Sequence, residues 1–435
     1  MVREDDQVLS ALTDWNPWWQ GKDIPDELIG KSRLTTYPID EIMERKEIKT
    51  VTGIRRCGKS TSIYQIIDRL LKSGVKGNDI ILINFDDDML SGKPLSDIMS
   101  IYLSRISTSE KINIFLDEVH RCPDWVGYLR KNYDLRRTGQ VVITDSSSKY
   151  LKGEYTTLLT GRKIDIGLHT LSFEEFLKWN GINTEVPFSQ NDIDRIRHLL
   201  EKFLKWGGFP EVVLVESDIQ KKILLKEYID SILYKDVVER YNANIHKLKI
   251  LVDYLISTPA TRFSPRKFSR NHDISLETLN NYIKYLQEVN LLHVVPKFDY
   301  SFSKVLGSTK KLYIEDTGLL ENLGFRYMEE MGKLYENAVC NELLRREFEV
   351  YYWYDERSEC DFIVRKGKDL VMAIQVCYDI NIDNIEREIK GLRNACSKFK
   401  IDKGIIISSK FPDIELEEFE VLPLWKFLLN NEQDR

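Results

Sequence analysis

Thr52-Gly53-Ile54-Arg55-Arg56-Cys57-Gly58-Lys59-Ser60-Thr61 contains the complete phosphate-binding pattern G-x-x-x-x-G-K-[ST]. Glycines allow a tight turn whose backbone N–H groups surround phosphate oxygens, and the helix that follows directs its positive end at the same charge. In this pattern Lys59 reaches the β- and γ-phosphates, and the hydroxyl of Ser60 binds Mg²⁺. The stretch therefore predicts a nucleoside triphosphate site formed by residues 53–61.

The residues on either side of this loop support the prediction. Lys49-Thr50-Val51-Thr52 has the composition of a short strand, and residues 61–72 have the apolar spacing of a helix. A chance match in a loop is the alternative, and it requires neither a strand before the pattern nor a helix after it. The strand–loop–helix order favours a functional phosphate-binding loop.

Two further apolar strands end in acidic residues. Residues 80–85 run into Asp86, and residues 112–116 run into Asp117 and Glu118. Carboxylates at the carboxyl end of a parallel strand beside such a loop form the Walker B arrangement. Asp117 is then the predicted Mg²⁺ ligand, and Glu118 is the predicted residue that orients or deprotonates the attacking water.

Two more segments supply candidate residues for the γ-phosphate. The strand 140–144 ends at Thr144 and opens into Asp145-Ser146-Ser147-Ser148, so Thr144 is predicted to contact nucleotide; a serine-rich turn without this role is the alternative. Arg162 is a candidate γ-phosphate sensor or arginine finger, and a surface arginine is its alternative. If Arg162 acts across a subunit boundary, the protein must be a homo-oligomer.

Composition limits the remaining function classes. The 435 residues predict two to four domains, and 42% hydrophobic with 30% charged residues describe a globular protein. The balance of 63 basic and 69 acidic residues gives a net charge of −6, so any nucleic-acid surface must be local. No apolar run reaches the roughly 20 residues of a membrane span, and residues 1–6 lack the apolar core of a signal peptide. We therefore expect no membrane partner. Six scattered cysteines without C-x-x-C spacing favour reduced thiols in the cytoplasm.

The order of motifs resembles a family of prokaryotic AAA-type ATPases. The segments that carry this resemblance are Asn16 to Trp19, Gly53 to Ser60, Asp117-Glu118, Thr144 to Ser148, Gly161-Arg162 and Leu171 to Phe176. The resemblance implies an α/β P-loop NTPase core with a parallel sheet, which binds and hydrolyses ATP with Mg²⁺. The chain departs from the family at Asp145, where glycine is more usual, and an extra carboxylate there is expected to weaken nucleotide binding or alter the sensor.

The segments around the core have separate predicted roles. Residues 1–46 form an N-terminal arm whose tryptophans at 15, 18 and 19 pack on the body of the protein. Residues 47–168 form the ATPase core, and residues 169–244 form a helical lid or connector. Predicted helices cover residues 40–46, 173–179, 193–206 and 219–241.

Residues 245–331 are interpreted as a winged helix. Helices are predicted at residues 248–256, 265–270 and 275–290, and a wing strand at 291–298. Residues 245–310 hold ten basic against five acidic residues, a net charge of +5 in an acidic protein. A basic helix-turn-helix segment is what binding to DNA phosphates requires, although winged helices also contact proteins.

In residues 332–435 a helix is predicted to begin at 332–337, followed by strands at 349–354, 359–364 and 373–378, a helix at 385–399 and a buried strand at 404–408. This order of elements resembles the PD-(D/E)xK nuclease fold, a restriction-endonuclease-like α/β domain. The resemblance assigns Glu336 and Asp361 to its metal-binding acids and Gln375 to the next ligand position. Two residues later such a nuclease has a lysine, where this chain has Cys377, so cleavage is doubtful. A DNA-holding or structural role is the alternative, and a lysine from the 366–368 hairpin is a candidate replacement.

These observations predict an ATP-hydrolysing, Mg²⁺-dependent ATPase that engages duplex or branched DNA through its winged-helix and nuclease-like domains. Two alternatives remain open at this level. One is a nucleotide-switched module that contacts a protein partner, and the other is an active metal-dependent DNA nuclease.

Overall fold

The structure is a computed structural model, and it describes residues 4–33, 39–107, 109, 111–147, 154–185, 187–324, 331–356, 358–380, 385–411 and 418–429. The chain divides into two compact units, residues 1–168 and 169–435. This division falls at the predicted end of the ATPase core, whereas the predicted boundaries at 244 and 331 lie inside the second unit. None of the described helices is long and apolar enough to cross a membrane.

The first unit is an α/β structure built on five strands. Its strands are β1 (Ile48–Thr52), β2 (Ile80–Asn84), β3 (Ile112–Asp117), β4 (Thr138–Asp145) and β5 (Lys163–Gly167). Its α-helices are α1 (Glu4–Trp15), α2 (Asp26–Ile29), α3 (Ile39–Glu44), α4 (Lys59–Lys72), α5 (Leu95–Arg105) and α6 (Trp125–Asp134). The four strands and the helix α4 predicted here are present within three residues of their predicted ends. Strand β5 was not predicted, because its sequence Lys-Ile-Asp-Ile-Gly is short and half polar.

The strand order β2-β3-β4-β1-β5 decides which chain segments meet. Every adjacent pair is parallel, with Val51 beside Thr144 and Leu116 beside Ile143. The loops after β1, β3 and β4 therefore leave three neighbouring strands at the same edge of the sheet. A crevice outside the carboxyl ends of parallel strands is the usual ligand site of such sheets.

The N-terminal arm covers the edge strand β2. The side chain of Asn16 is fully buried; its Nδ2 donates to Leu82 O at 2.8 Å, and its Oδ1 accepts from Leu82 N at 2.7 Å. The indoles of Trp18 and Trp19 both donate to Ile80 O, at 3.2 and 2.8 Å. The arm thus satisfies backbone groups that an exposed edge strand leaves unpaired. The tryptophans pack as the sequence predicted.

The second unit begins with helices and ends with an α/β layer. Its first helices are α7 (Phe173–Trp179), α8 (Gln190–Trp206), α9 (Pro210–Leu214), α10 (Asp218–Ser231) and α11 (Glu239–Tyr241), with a π-helical segment at Ile232–Val238 between the last two. The helix predicted as one piece over 219–241 therefore contains a π-helical segment at Ile232–Val238. Such π segments often accompany functional sites.

Residues 245–314 combine four helices with a small antiparallel sheet. The elements are α12 (Ile245–Ser257), β6 (Arg262–Phe263), α13 (Pro265–His272), α14 (Leu276–Glu288), β7 (Leu292–Pro296), α15 (Phe302–Gly307) and β8 (Lys310–Ile314). The strand order is β6-β8-β7, so β8 lies in the centre. Residues 311–314 of β8 are all buried, so this strand is enclosed on both faces.

The C-terminal part is a mixed sheet with helices on it. It contains α16 (Thr317–Leu323), α17 (Met331–Arg345), β9 (Glu349–Tyr354), β10 (Glu359–Lys366), β11 (Asp369–Val376), α18 (Ile385–Phe399), β12 (Gly404–Ser408), β13 (Glu420–Pro423) and α19 (Leu424–Leu429). The strand order is β13-β12-β11-β10-β9, with β9, β10 and β11 antiparallel and the other pairs parallel. The predicted bounds of β9, α18 and β12 agree with the structure, while β13 and α19 were not predicted.

Candidate active site

The loop after β1 has the backbone that its glycines predict. Gly58 has φ +105° and Arg56 has φ +70°, so the chain passes through the left-handed region twice before α4 begins. A Cβ atom on Gly53 would lie 2.1 Å from Leu168 O, so only glycine fits at the start of the loop. Cys57 O accepts a hydrogen bond from Arg33 Nη1 at 2.6 Å, which holds the middle of the turn. This is a preformed concave backbone of the kind that binds anions.

Lys59 lies buried at the first turn of α4. Its Nζ donates to Gly53 O at 3.0 Å and to Ile54 O at 3.2 Å, both within the loop. The ammonium group is therefore held over the concave side of the turn by two carbonyl oxygens. Phosphate oxygens are stronger partners for it, because their negative charge adds an ion-pair attraction that a neutral carbonyl oxygen lacks.

Three oxygen-bearing side chains meet beside this loop. Ser60 Oγ donates to Asp117 Oδ2 at 2.6 Å, and the hydroxyl of Thr144 donates to Asp117 Oδ1. Burial, and next the charge of Glu118, raise the pKa of Asp117. A carboxylate and a hydroxyl are ligands that Mg²⁺ prefers, and Mg²⁺ also takes oxygens from substrate phosphates. The predicted ligands Ser60 and Asp117 thus lie together and fit this ion.

Glu118 is held in an unusual conformation. Its backbone has φ +52° and ψ +50°, a left-handed conformation that costs a non-glycine residue about 1–2 kcal/mol. Its N–H points to Thr144 Oγ1 at 3.4 Å, and its Oε2 lies 3.3 Å from Ser146 Oγ and 3.4 Å from His120 Nδ1. Burial alone would raise the pKa of Glu118, but the contact with His120 and the charge of Lys59 outweigh burial and lower the pKa below its usual range.

Asp145 lies next to this glutamate and is directed at His120. The carboxylate is fully buried, and its Oδ2 accepts from His120 N and lies 3.1 Å from His120 Nδ1. Its Oδ1 accepts from Ser147 N at 2.7 Å. The sequence suggested an extra acid at the γ-phosphate, whereas the structure uses Asp145 to hold His120 and the turn after β4. Ser148 lies outside the described residues.

His120 is the residue of this site whose role the sequence did not show. The sequence pattern His120-Arg121-Cys122 indicated only a loop. In the fold, its imidazole lies between Asp145, at the end of β4, and Glu118, directly after the neighbouring strand β3. Only the pairing of β3 with β4 brings these residues together.

The arginines of the site differ in placement. Arg162 forms two hydrogen bonds with Asp134, from Nε at 2.7 Å and from Nη2 at 3.2 Å, at the surface of its own chain. Arg55, in the loop, lies 3.9 Å from Asp86. The exposed side of the loop also carries Arg56, and Thr61 follows in α4. In the structure Arg162 is therefore separate from the cluster around Asp117.

A second cluster forms in the C-terminal sheet, around Lys311. Its ammonium group is 1% exposed and contacts Glu336 Oε1 at 2.8 Å, Glu359 Oε1 at 2.6 Å and Asp361 Oδ1 at 3.0 Å. Although burial alone would lower the pKa of Lys311, these carboxylates hold it well above its usual value. Burial, and next the charge of Glu336, raise the pKa of Asp361 to about 6. Gln375 Oε1 accepts from Asp361 N at 3.3 Å, so the three nuclease-like positions lie together, and two of them contact Lys311.

This lysine comes from β8, in the small sheet that precedes the domain. The sequence suggested Lys366 or Lys368 as the replacement, but Lys366 lies over the Phe348 ring, 5.8 Å from its centre. Lys311 stands 50 residues before Asp361, and no spacing rule links the two. Only the central position of β8 directs its ammonium group into the acids.

Comparisons with known proteins assign an AAA domain to most of the first unit. Residues 45–177 match the AAA domain family, residues 197–329 match a domain of unknown function (DUF8612), and residues 331–427 match another (DUF4143). "Uncharacterized protein MJ1544" of Methanocaldococcus jannaschii is 32% identical over 424 residues, which cover 93% of each chain. The chain belongs to this family of AAA-domain proteins.

Other members and solved structures are more distant. An "Uncharacterized protein" of Haemophilus influenzae is 28% identical over 393 residues, which cover 88% of this chain and 94% of that protein. Aeropyrum pernix ORC1 in complex with DNA superposes with a TM-score of 0.31 at 12% identity, over 74% of this chain and 92% of that one. The Thermotoga maritima RuvB Holliday junction branch migration motor gives 0.30 at 13%, over 62% and 94%.

Proposed function

We propose that this AAA-domain protein binds ATP with Mg²⁺ and hydrolyses it. The observation that carries the proposal is the meeting of Ser60, Asp117 and Thr144 at the carboxyl ends of neighbouring strands, beside a preformed anion-binding turn. Each of these residues was predicted from sequence, and they come from three segments far apart in the chain. Their chemistry and spacing suit the phosphates of a nucleotide and its metal ion.

The roles of the residues follow from their contacts. The N–H groups of residues 53–61 hold phosphate oxygens, and Lys59 exchanges its two loop carbonyls for the β- and γ-phosphates. Ser60 and Asp117 would hold Mg²⁺, which neutralises charge that develops on the phosphate oxygens. Glu118, fixed by Ser146 and His120, orients the attacking water and accepts its proton.

Replacing Lys59 tests this function directly. Lys59→Ala is expected to abolish ATP turnover, while Lys72→Ala, at the exposed far end of the same helix, should leave it unchanged. Glu118→Gln should keep nucleotide binding and lower kcat by roughly 10²–10⁴-fold, the usual contribution of a general base. A Lys59→Ala protein that hydrolyses ATP at the normal rate would overturn the assignment.

We further propose that residues 245–331 are a winged helix that binds duplex DNA. The order of the helices α12, α13 and α14 and the strands β6, β7 and β8 supports this. The positive charge on α13 supports it too, because Arg266, Lys267 and Arg270 are exposed there. No ion pair involves these three side chains within the described part of the chain. By contrast, Lys249, Lys284 and Lys304 each pair with an acid, so the net charge of the segment is concentrated on α13.

A charge-matched pair of variants tests DNA binding. Arg266→Ala/Lys267→Ala/Arg270→Ala should weaken duplex binding and flatten its dependence on salt, because each lost phosphate contact reduces the slope by about one. The control Lys202→Ala/Lys222→Ala/Lys226→Ala removes three exposed lysines from α8 and α10. Equal losses in both variants, or binding that is insensitive to salt, would favour a protein partner instead.

For the C-terminal domain we propose a nuclease-like fold that holds DNA or supports the structure without cutting. The support is Lys311, whose ammonium group fills the space between the acids that a catalytic metal ion needs. Supercoiled, linear and branched DNA incubated with Mg²⁺ or Mn²⁺ should stay intact. Cleavage that disappears in Asp361→Ala would establish the nuclease alternative.

A further inference from the structure

A cluster of two histidines and a glutamate lies in the second unit, outside the acid cluster around Lys311. His169 Nδ1 lies 3.0 Å from Glu315 Oε1, and His293 Nε2 lies 2.6 Å from Glu315 Oε2. One ligand atom from each side chain lies within 4.8 Å of the other two. Glu315 is 2% exposed, and the histidines are partly buried.

The fold fixes these three side chains. His293 in β7 stands opposite Tyr313 in β8, and Glu315 follows β8 on the same side as Tyr313. His293 and Glu315 are therefore diagonal neighbours across an antiparallel pair. The third side chain, His169, is held through its neighbour Thr170, whose N–H donates to Glu315 Oε1 at 3.2 Å.

Glu315 has an unusual set of partners for a buried carboxylate. Within the described residues it pairs with the two imidazoles and with the Thr170 N–H, and with no lysine or arginine. A buried carboxylate is costly unless a cation compensates it. Here a cation must be either a protonated imidazole or an ion placed among the three side chains.

Space for a further ligand adjoins Glu315. A cavity of about 20 Å³ is lined by Glu315, Asp316, Asn341 and Arg345, among others. This volume admits one water molecule. The buried Asn341 Oδ1 has no hydrogen-bond partner among the described residues, so a water there would satisfy it.

We propose that His169, Glu315 and His293 bind a divalent transition-metal ion of the Zn²⁺ class, with water as the fourth ligand. Two imidazole nitrogens and one carboxylate oxygen are a ligand set of three-ligand zinc sites. Tetrahedral ligands about 2.0–2.1 Å from Zn²⁺ stand about 3.3 Å apart. The separations here bracket that value, from 2.6 Å between His293 and Glu315 to at most 4.8 Å within the group. The site is distinct from the proposed ATP and DNA functions, and it would tie the start of the second unit to the β7–β8 hairpin.

Cobalt provides the test, because tetrahedral Co²⁺ absorbs visible light. Full-length protein stripped with chelator is titrated with Co²⁺ and then with Zn²⁺, and affinity is measured by calorimetry in parallel. Wild type is expected to take up one equivalent with tetrahedral bands that Zn²⁺ abolishes. His169→Gln and His293→Gln should weaken this binding more than about 100-fold, since loss of a residue outside the ligand set alone costs about 10–100-fold.

The control is His198→Gln, which alters an exposed histidine 3.9 Å from Glu201 on α8. It should bind Co²⁺ as wild type does. Circular dichroism of each variant establishes that it is folded, and Glu315→Gln gives an independent loss of binding if one histidine variant unfolds. Absence of the tetrahedral bands in wild type, or equal binding by His169→Gln, His293→Gln and wild type, would overturn the proposal.

Discussion

At the scale of single residues, the nucleotide site depends on how Glu118 is aimed. The residue has a left-handed backbone, and its carboxylate is placed by Ser146 and His120. Strained conformations of this kind persist where surrounding contacts fix them, and they concentrate at functional sites. His120 is in turn fixed by Asp145, so that a chain of contacts runs from β4 to the proposed base.

Removing His120 should therefore affect turnover more than nucleotide binding. We expect His120→Ala to lower kcat by roughly 10–100-fold, the range that small misplacements of a reacting group cause, with little change in nucleotide affinity. Steady-state kinetics together with a fluorescent-nucleotide titration separate the two effects. Matched His198→Ala should behave as wild type, and a variant that loses affinity but keeps kcat would show that His120 acts on binding instead.

Lys311 determines the arrangement of the second acid cluster, because its ammonium group contacts all three carboxylates there. Lys311→Met should lower the free energy of unfolding of the second unit by about 3–5 kcal/mol, because the carboxylates of Glu336 and Asp361 lose their buried cation. Chemical denaturation monitored by circular dichroism measures this loss.

Lys333→Met is the matched control for that change. Lys333 also contacts Glu336, at 2.9 Å, but its side chain is 33% exposed. Solvent screening should keep the effect of this variant to about 1 kcal/mol or less. Equal losses for both lysines would mean that burial of Lys311 adds nothing to its contribution.

At the scale of elements, the position of a strand within its sheet decides two features. Strand β2 ends the parallel sheet, and the N-terminal arm covers it through Asn16 and two tryptophans. Strand β8 is central in its small sheet, which takes Lys311 into the interior and places Glu315 beside His293. Position within a sheet, more than composition, thus determines what each strand carries.

The arm should stabilise the first unit measurably. Asn16→Ala leaves the N–H and C=O of Leu82 unpaired on a buried edge, at a cost of about 1–3 kcal/mol for each group that stays unsatisfied. Urea unfolding followed by tryptophan fluorescence should detect the loss. Asn78→Ala, at an exposed position of the same unit, should be neutral, and an equally stable Asn16→Ala protein would show that the arm does not support β2.

At the scale of the whole molecule, Arg162 raises the question of assembly. The side chain is bound to Asp134 at the surface of its own chain and lies apart from the cluster around Asp117. If it completes the site of a neighbouring subunit, Arg162→Ala chains should be inactive alone. They should regain turnover when mixed with Lys59→Ala chains, which lack their own site but supply an arginine.

Mixing the two variants at several protein concentrations measures this complementation. The rate per chain of wild type should rise with concentration over the same range. Asp134→Ala serves as the control, because it frees Arg162 without removing it and should retain turnover. A monomer with a constant rate per chain, and no gain on mixing, would remove the trans role.

The sequence by itself determined the local features of this protein. The loop at 53–61, the acids after β3, and most strands and helices followed from glycine positions, apolar period and residue chemistry, since each depends on neighbours within a few positions. The membership of Ser60, Asp117, Thr144 and Glu118 in one site followed from the rule that parallel strands end at one edge. Short half-polar β5 was missed because its pairing with β1, not its own pattern, makes it a strand.

Only the tertiary structure decided which distant polar groups meet. Lys311 fills the acid cluster of the C-terminal sheet, Asp145 is directed at His120, and two histidines converge on Glu315. These contacts join residues separated by 22 to 146 positions, and strand order and register set them. Buried charges choose partners by proximity in the fold, because compensation of charge depends on distance in space and not on distance along the chain.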